Sequence, residues 1–209
     1  MNFTDFTSRI VDIKNAPLGG LEAQFLLAPK LRLQYDEQKI AANNSKRAAV
    51  LALLYPNEQE QTTILLIQRA SYIGIHSGQI SFPGGKFDKE DFSLKHTALR
   101  ETFEEVGIFP DSVNIFKELT NVYIPPSNFL ATPFLGFVDC KPNFILNHEV
   151  SKIIEILLSD LMDEKNITSV ILDTSYMKKA EVPCFKIQDC IIWGATAMML
   201  SEIKELFRY

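Results

Sequence analysis

The sequence predicts an α/β or α+β sandwich, in which helices pack against a mixed β-sheet. Short apolar runs, several of them rich in β-branched residues, alternate along the chain with longer stretches of helical periodicity. Strands and helices follow one another in a mixed order, which disfavours an all-parallel, doubly wound sheet. With 209 residues, 46% of them apolar, the chain can bury a substantial core as one large domain or two small ones.

The chain opens with a predicted amphipathic helix that Asn2 caps. Its apolar residues recur at helical spacing, at Phe3, Phe6, Ile10 and Ile13. The turn residues Pro17–Gly20 end this helix, and a second helical or irregular piece continues to about Asn44. The first part of the chain is therefore expected to be helical or irregular.

The middle of the chain is predicted to form strands. Two apolar runs, Ala48–Tyr55 and Thr62–Ile67, flank the polar turn Pro56–Gln61 and are expected to pair as a hairpin in the core. A short strand at Gln79–Phe82 ends at a Pro-Gly-Gly turn. Later strands are predicted at Val113–Tyr123, Ala131–Asp139, Ser169–Leu172 and Val182–Trp193. The predicted helices are Ser93–Val106, which a C-capping Gly107 ends, Val150–Met162 and Ala195–Phe207.

Charge and apolar patterning exclude several classes of function. The net charge of −5 argues against a broad basic surface for nucleic acid or anionic lipid, but not against a local basic pocket for a small phosphate ligand. The apolar stretch Cys190–Leu200 is about half as long as a membrane-spanning helix, and the first residues do not look like a secretory signal. The 3 cysteines lack zinc-ligand spacing. We therefore expect a cytoplasmic protein with inert thiols and no membrane or nucleic-acid partner.

The helix predicted at Ser93–Val106 separates apolar from acidic residues. At about 100° per residue, an apolar stripe roughly 60° wide holds Leu99, Phe103 and Val106. The opposite side, spread over about 100°, holds Glu101, Glu104 and Glu105. Carboxylates near a helix C-terminus repel one another and oppose the helix dipole. They form either a solvated acidic face or a cradle for a hard divalent cation such as Mg²⁺, which takes oxygen ligands.

The loop before this helix, Pro83–Lys86, holds two adjacent glycines. It is either an ordinary turn or a backbone without Cβ atoms that approaches a metal ion or a phosphate closely. In the second case, a carbonyl oxygen of the loop would complete the ligand set. The Gly-x4-Gly-Lys-Ser/Thr pattern of a P-loop is absent.

Residues 85–108 resemble the box of the Nudix hydrolase family, Gly-x5-Glu-x7-Arg-Glu-U-x-Glu-Glu-x-Gly-U, in which U is a bulky apolar residue. The second half is intact apart from Thr102 at the first U position, with Arg100, Glu101, Glu104, Glu105, Gly107 and Ile108 in place. In the first half, Asp91 replaces the glutamate, and eight residues instead of seven precede Arg100. Both departures look like the coenzyme A pyrophosphatase branch of the family.

The preceding stretch, Leu65–Gly85, is similar to the block in front of the box in that branch. The matching residues are Leu65, Leu66, Ala70, His76–Gln79 and Phe82–Gly85. Arg69 and Gly74 depart from the block, since they stand where it has Thr and Arg, and the missing Arg leaves the substrate open. Ala131–Phe134 and Ile192–Ala197 also look like this branch.

The resemblance implies one Nudix domain over residues 1–209, an α/β/α sandwich with a mixed sheet, in which residues 1–45 are an N-terminal helical elaboration. It implies cleavage of the pyrophosphate in a nucleoside diphosphate linked to another group, with Mg²⁺ or Mn²⁺ as cofactor. The branch implies coenzyme A or a derivative as the small-molecule substrate, and 3′,5′-ADP and 4′-phosphopantetheine as products. A homodimer is also expected, since Nudix relatives are often dimers.

The resemblance also assigns roles to single residues. The implied metal ligands are Glu101, Glu105, Glu104 and the carbonyl group of Gly85. Glu104 is alternatively the general base, a role for which Glu149 is a second candidate. The implied catalytic residues are Glu104, Arg100, Glu101 and Glu105, with Arg100 orienting the carboxylates. The expected substrate contacts are Gly84, Gly85, Lys86, Arg69 and His76.

Two other functions stay open. One is a Nudix hydrolase of another nucleotide, such as ADP-ribose, NADH or a noncanonical (d)NTP. The other is a Nudix-like module that senses a nucleotide without cleaving it, although such modules usually lack some of the box carboxylates. Outside the box, basic residues concentrate at Lys30, Arg32, Lys46 and Arg47, as either a solvated face or a contact for a 3′-phosphate.

Overall fold

The computed structural model describes residues 1–42, 44–70, 78–173 and 178–208. Its helices are α1 (Phe3–Ser8), α2 (Ile10–Asn15), α3 (Gly20–Phe25), α4 (Glu37–Ala42), α5 (Leu94–Val106), α6 (Leu158–Met162) and α7 (Gly194–Leu206). Its strands are β1 (Lys46–Pro56), β2 (Thr62–Arg69), β3 (Ile80–Ser81), β4 (Gly84–Lys86), β5 (Asn114–Glu118), β6 (Val122–Ile124), β7 (Phe129–Phe137), β8 (Val150–Leu157), β9 (Ile167–Leu172), β10 (Ala180–Ile187) and β11 (Cys190–Trp193). Within the described ranges, no helix has the length and apolar character needed to cross a membrane.

Strand β1 is the centre of a mixed sheet. It pairs in parallel with β7 from Lys46 to Leu54, and its other edge pairs antiparallel with β4 and then with β2. The strand order is β3-β2-β1-β7-β5, while β4, β6 and β8 add to β1, β7 and β2 respectively. A separate antiparallel sheet has the order β11-β10-β9.

The two faces of the larger sheet bury different residues, because side chains alternate along each strand. On β1, Ala52 and Leu54 belong to a core shared with α6 and α7, whereas Leu51 and Leu53 belong to a second core shared with α5. Helices therefore cover both faces of the mixed sheet, which confirms the predicted α/β/α sandwich. A strand buried on both faces needs a continuous apolar run, and β1 has one.

Helix α5 begins and ends where the sequence predicts. The hydroxyl oxygen of Ser93 caps it by accepting a 3.1 Å hydrogen bond from the backbone N–H of His96, and Gly107 ends it with a φ of +77°. The predicted apolar stripe is buried only in part, because Val106 and Leu99 pack into the core whereas Phe103 is exposed and lies against Phe109. The buried residues are Thr97, Ala98, Thr102, Glu105 and Val106. Small side chains let the helix pack closely on β1, and a glutamate lies inside this contact.

The helix predicted at Val150–Met162 is wrong for most of its length. Val150–Leu157 form strand β8, which pairs antiparallel with β2, and the helix α6 begins only at Leu158. Val150, Ile154 and Ile156 are buried at even spacing, as a strand requires. Their spacing also fits a helix within the wider apolar segment, so pairing with β2 decides between the two.

Other elements differ from the predictions in their boundaries. Val113–Tyr123 is divided into β5 and β6, which both pair with β7. Val182–Trp193 is the hairpin of β10 and β11, which turns at Gln188 with a φ of +54°. The N-terminal helix is interrupted at Arg9, so that α1 and α2 replace it. Gly84–Lys86 form strand β4 instead of a simple turn.

The N-terminal segment packs into the same core as helix α7. Both phenylalanines of α1 are buried there. Glu202 on α7 is fully buried, and its carboxylate accepts hydrogen bonds from the Gly20 N–H (3.2 Å), Gln24 Nε2 (2.9 Å) and Thr120 Oγ1 (2.6 Å). One carboxylate therefore joins α3, α7 and the loop between β5 and β6.

Glu202→Ala is expected to lower the free energy of unfolding by about 3 kcal/mol, because the buried amide of Gln24 and the partly buried donors of Gly20 and Thr120 lose their acceptor. Urea denaturation measures this, and we expect a single transition in which the N-terminal segment and the sheet unfold together. Glu22→Ala, at an exposed position of α3, is the matched control and should cost less than about 0.5 kcal/mol. Equal losses in both variants would contradict the role given to Glu202.

Candidate active site

Glu105 lies inside the site, with 2% of its surface exposed. Its Oε2 accepts a 2.8 Å hydrogen bond from the backbone N–H of Gly84, and its Oε1 lies 3.3 Å from Nη1 of Arg69. Gly84 begins β4 and Arg69 ends β2, so this carboxylate links α5 to two strands of the sheet. A backbone donor and a guanidinium group together hold it in one position.

Gly84 can supply this donor because it has no Cβ atom. Its φ is +147°, and a Cβ would lie 2.4 Å from the carbonyl oxygen of Ala49 and 2.6 Å from Cα of Val50. Both are backbone atoms of β1 and cannot move aside at low cost. The glycine therefore allows the close approach of β4 to β1 that places the Gly84 N–H next to Glu105.

Glu101 lies directly against Gly85. A Cβ on Gly85 would be 2.4 Å from Cδ and Oε2 of Glu101 and 2.6 Å from its Oε1. The Glu101 side chain keeps 18% of its surface exposed, and its Oε1 accepts a 3.0 Å hydrogen bond from Nη1 of Arg100. The Glu101 carboxylate therefore lies in direct contact with the main chain of β4.

Asp91 anchors Arg100. Its buried carboxylate receives two parallel hydrogen bonds from the guanidinium group, Nε to Oδ1 and Nη2 to Oδ2, both of 2.9 Å. Thr97 Oγ1 at 2.8 Å, the Asp88 N–H at 2.9 Å and His96 Nδ1 at 2.9 Å are its other contacts. Arg100 and these hydrogen bonds hold the pKa of Asp91 well below its usual range. Asp91 therefore stays ionised and fixes the arginine.

The same guanidinium group contacts the carboxylates of α5. Nη1 of Arg100 lies 3.0 Å from Oε1 of Glu101 and 3.2 Å from Oε2 of Glu104. Nη2 of Arg100 also donates to the carbonyl oxygen of Lys86 over 3.3 Å. The planar group therefore holds Asp91 on one side and two glutamates on the other. Of the three box glutamates, Glu104 is the most accessible, with 51% of its side chain exposed.

Arg69 is a counter-ion inside the site. Its Nη1 lies 3.3 Å from Oε1 of Glu105, and its Nη2 lies 3.3 Å from Oε2 of Glu149. The pairing of β2 with β8 shifts register between Gln68 and Arg69, at the end of β2. Glu149 precedes β8 and keeps about half of its side chain exposed. The expected substrate contact Arg69 thus bridges carboxylates from two different segments.

Burial and mutual repulsion raise the pKa values of two glutamates. For Glu105, burial is the main cause, Glu101 and Glu149 add to it, and Arg69 and a backbone N–H oppose it, so that its pKa is about 7. Burial likewise raises the pKa of Glu101, although Arg100 lowers it. Buried carboxylates with raised pKa values indicate a site that gains from a bound positive charge.

The raised pKa of Glu105 predicts a pH dependence of stability in the metal-free protein. The folded state holds the proton up to about pH 7, whereas the unfolded chain releases it near pH 4.3. Because the folded state then binds more protons, the free energy of unfolding should fall as pH rises from about 4.5 to 7, by on the order of 3 kcal/mol.

Urea denaturation in EDTA at pH 5 and pH 7.5 measures this fall. Glu105→Gln lacks the titrating group, so between these pH values its free energy of unfolding should fall by about 3 kcal/mol less than that of the wild type. Parallel pH profiles for the two proteins would contradict the raised pKa.

The donor set fits a hard divalent cation. Glu101, Glu105 and the main-chain carbonyl of Gly85 offer oxygen ligands, which Mg²⁺ and Mn²⁺ prefer, and the missing Cβ of Gly85 leaves room for Glu101 against the main chain. Among the residues that the structure describes, no three His, Cys, Asp or Glu side chains are gathered closely enough to hold an ion. Arg69 and Arg100 contact the carboxylates instead.

A cavity of about 450 Å³ opens beside these residues. Five residues with a predicted site role line it: Gly84, Gly85, Lys86, Arg69 and Glu101. Glu149 joins them, and the opposite side includes Arg32, Phe129 and Trp193. His76, the remaining predicted substrate contact, lies outside the described residues, as does Gly74.

Sequence reasoning missed two contributors and left a third undecided. Trp193 lines the cavity, and the likeness of Ile192–Ala197 to the family was a signal for it. His96 contacts Asp91, which its position in the first turn of α5 allows but does not indicate. Arg32 lines the cavity from the N-terminal segment, where no motif marks it, and tertiary packing alone brings it there.

A family model described as the NUDIX domain matches residues 45–162, which include the box, the strands that contact it and Glu149. The chain belongs to the Nudix family. Nudix hydrolases are pyrophosphohydrolases that act on nucleoside diphosphate derivatives, and they generally use divalent metals such as Mg²⁺ or Mn²⁺.

Relatives and solved structures support the Nudix assignment. An uncharacterised Nudix hydrolase NudL of Photorhabdus laumondii is 30% identical over 180 residues, which are 84% of this chain and 92% of that protein. A protein of the same description from Yersinia enterocolitica is 36% identical over 134 residues, 64% of this chain and 67% of that one. The crystal structure of a MutT/nudix family protein from Enterococcus faecalis has a TM-score of 0.55 at 15% identity, over 84% of this chain and 71% of that one. This last likeness concerns the fold alone.

Proposed function

We propose that this Nudix hydrolase cleaves the pyrophosphate bond of coenzyme A or one of its derivatives in a reaction that needs Mg²⁺ or Mn²⁺. Water adds to one phosphorus atom, the P–O–P bond breaks, and the products are 3′,5′-ADP and 4′-phosphopantetheine. One observation carries the hydrolase assignment: the buried carboxylate of Glu105, held by Gly84 and Arg69 beside Glu101 at one end of the cavity.

Carboxylates of α5 are proposed to hold the metal. Glu101 and Glu105 would be direct ligands, with Glu104 and the carbonyl oxygen of Gly85 as further donors. When bound, the metal supplies positive charge for the phosphates of the substrate and activates water. Arg100 keeps Glu101 and Glu104 in position through its contacts with both.

The substrate is proposed to bind along β4 and the end of β2. Gly84, Gly85 and Lys86 line the cavity there, and the two glycines let a phosphate approach the backbone closely. Arg69 also lines the cavity, so its guanidinium group can contact a substrate phosphate once it leaves the carboxylates. His76 stays a proposed substrate contact on the strength of the resemblance.

Two glutamates fit the role of general base. Glu104 and Glu149 are each about half exposed, and each is held by a guanidinium group, of Arg100 and Arg69 respectively. Replacing the true base by glutamine is expected to lower kcat by about 10²- to 10⁴-fold and to remove one limb of its pH profile. Measuring kcat against pH for Glu104→Gln and Glu149→Gln decides between them.

Gly85→Ala is expected to lower kcat/KM by roughly a hundred-fold, since an ångström of misplacement at a reacting centre can cost that much. The added Cβ would meet the end of the flexible Glu101 side chain, which can move aside, so the fold should persist. Hydrolysis rates and the melting temperature of one preparation measure both effects. Full activity of a stably folded variant would show that Glu101 is misassigned.

Three observations support coenzyme A as the substrate. The stretch before the box and the Asp91 spacing look like the coenzyme A pyrophosphatase branch. The cavity volume of about 450 Å³ is in the range of small-molecule sites. The cavity also combines a carboxylate end with a basic residue, Arg32, on another wall.

A substrate panel with Mg²⁺ or Mn²⁺, read by product mass, tests the proposal. The panel contains coenzyme A, ADP-ribose, NADH and a noncanonical dNTP. Coenzyme A is expected to give both named products, and Glu105→Gln should give neither. Turnover of another nucleotide without turnover of coenzyme A would show that the other nucleotide is the substrate. Tight binding without turnover of any would favour the sensing module.

The organisation of the whole chain is part of the proposal. We propose that residues 1–209 act as one domain, in which residues 1–45 are an elaboration of the Nudix fold. The packing of both α1 phenylalanines into the core that contains α7 supports this. The homodimer and the cytoplasmic location stay predictions.

A further inference from the structure

A second charged wall of the cavity comes from the N-terminal segment. Arg32 ends the 3-10 turn Lys30–Arg32 and lines the cavity together with Phe129. Only 8% of its surface is exposed. Its Nη1 donates to the carbonyl oxygen of Tyr123 over 3.2 Å and lies 3.4 Å from Sδ of Met198. Arg32 thus lies at the wall of a ligand cavity, and its guanidinium group is held by the main chain of Tyr123.

The strand order gives the separation between this wall and the box. Gly85 on β4 pairs with Ala49 on β1, whose neighbour Ala48 pairs with Ala131 on β7. Ala131 in turn pairs with Val122 on β6, next to Tyr123. Three strand spacings of about 4.8 Å therefore separate β4 from β6, roughly 14 Å in all. A pyrophosphate bound at Gly85 is shorter than this, so Arg32 faces a different part of the substrate.

The chemistry of this wall suits an anion. Arginine stays protonated in proteins, and its planar group matches the oxygens of a phosphate. Lys46 adds positive charge nearby, because its Nζ lies 5.9 Å from the ring centre of Phe129, a lining residue. The cavity therefore has a carboxylate end, suited to a metal and a pyrophosphate, and a separate cationic wall.

We propose that Arg32 is a specificity-determining residue that binds a second phosphate group of the substrate, a phosphomonoester on the nucleoside. The proposal rests on the proposed function, because coenzyme A carries such a group on its ribose. Arg32 lies outside residues 45–162, which the family model matches. Hydrolysis would then depend on the shared domain, and recognition of the second phosphate on a segment that precedes it.

Calorimetric titration with 3′,5′-ADP and with 5′-AMP tests this without turnover. The wild type is expected to bind 3′,5′-ADP about 10- to 100-fold more tightly than 5′-AMP, which is the range that a hydrogen bond to a charged group gives. In Arg32→Gln this preference should fall to about threefold or less, and Arg32→Lys should keep part of it, because the charge remains. Lys30→Gln, an exposed position in the same turn, is the matched control and should keep all of it.

Kinetics with coenzyme A and dephospho-coenzyme A give an independent measurement. Arg32→Gln should raise KM for coenzyme A by a similar factor while kcat and the KM for dephospho-coenzyme A stay unchanged. A merely structural role of Arg32 would affect both substrates alike. Equal affinities of the wild type for 3′,5′-ADP and 5′-AMP would overturn the inference, and this comparison needs no variant that has to fold.

The inference and the proposed function can fail separately. Arg32-dependent preference for 3′,5′-ADP in a protein that does not hydrolyse coenzyme A would sustain the subsite and remove the proposed substrate. Hydrolysis of coenzyme A with an unchanged preference in Arg32→Gln would sustain the proposed function and overturn the subsite.

Discussion

Glu105→Gln is expected to lower kcat for pyrophosphate hydrolysis by roughly a thousand-fold, because the loss of a proposed metal ligand removes several kcal/mol of charge stabilisation. Glutamine has nearly the same shape, and its side-chain oxygen can still accept the 2.8 Å hydrogen bond that Gly84 donates. The fold should therefore persist while the negative charge is lost. Steady-state kinetics with saturating Mn²⁺ measure the effect on turnover.

Mn²⁺ titration followed by electron paramagnetic resonance gives a readout that does not depend on turnover. Glu105→Gln should bind Mn²⁺ at least about tenfold more weakly, in line with the loss of a charged contact. Glu118→Gln, at the exposed end of β5, is the matched control and should keep both wild-type activity and wild-type Mn²⁺ affinity. An unchanged Mn²⁺ affinity of Glu105→Gln would show that other residues bind the metal.

Asp91→Ala is expected to lower the free energy of unfolding by about 3 kcal/mol, because Arg100, Thr97 and the Asp88 N–H lose their charged acceptor. Catalysis should also suffer by roughly 10- to 100-fold, since Arg100 no longer holds Glu101 and Glu104 in position. Urea denaturation and steady-state kinetics on the same samples separate the two effects. Asp111→Ala, an exposed aspartate of the turn Pro110–Ser112, should change neither.

The lowered pKa of Asp91 gives this stabilisation a definite pH dependence. A carboxylate whose pKa is lower in the folded state stabilises the protein at every pH above its unfolded value of about 3.9. The difference in the free energy of unfolding between the wild type and Asp91→Ala should therefore be constant from neutral pH down to about pH 4 and should shrink below that pH. A difference that fades already between pH 7 and pH 5 would contradict the assignment.

Local signals were sufficient for the box helix. A serine cap, a helical apolar pattern and a glycine in the left-handed region are all short-range features, and α5 begins and ends where they lie. Its buried face was not predictable in the same way. Thr97, Ala98 and Thr102 face the sheet because small side chains allow close packing there, while Phe103 is left to stack on Phe109 at the surface.

Pairing decided the elements on which local patterns were ambiguous. Val150–Leu157 carries apolar residues at spacings that suit a helix or a strand, and the partner that selects the strand is β2, about 80 residues earlier. The division of Val113–Tyr123 likewise depends on how its two halves pair with β7. These assignments depend on contacts between segments that are distant in the sequence, so local sequence patterns do not predict them.

The candidate site shows the same division. The resemblance to the box identified Glu101, Glu104, Glu105 and Arg100 as candidate site residues, and all four lie on α5, which packs against β1 and β4. The motif does not state that Glu105 is buried, that Asp91 is the anchor of Arg100, or that Arg69 bridges Glu105 and Glu149. The bridge made by Arg69 depends on the end of β2 and the start of β8, and the sequence predicted a strand for the first and a helix for the second.

Arg69 forms ion pairs with Glu105 and Glu149. A metal ion that binds these carboxylates therefore competes with the guanidinium group of Arg69. Glu105 and Glu149 already share one positive charge at 3.3 Å from each carboxylate. A monovalent ion that displaced the guanidinium group would only replace that charge, and it would forfeit two directional hydrogen bonds. A divalent ion brings a second charge, and an anionic substrate offers the displaced arginine a new partner. We therefore expect the resident arginine to favour divalent over monovalent cations and to couple their binding to that of the substrate.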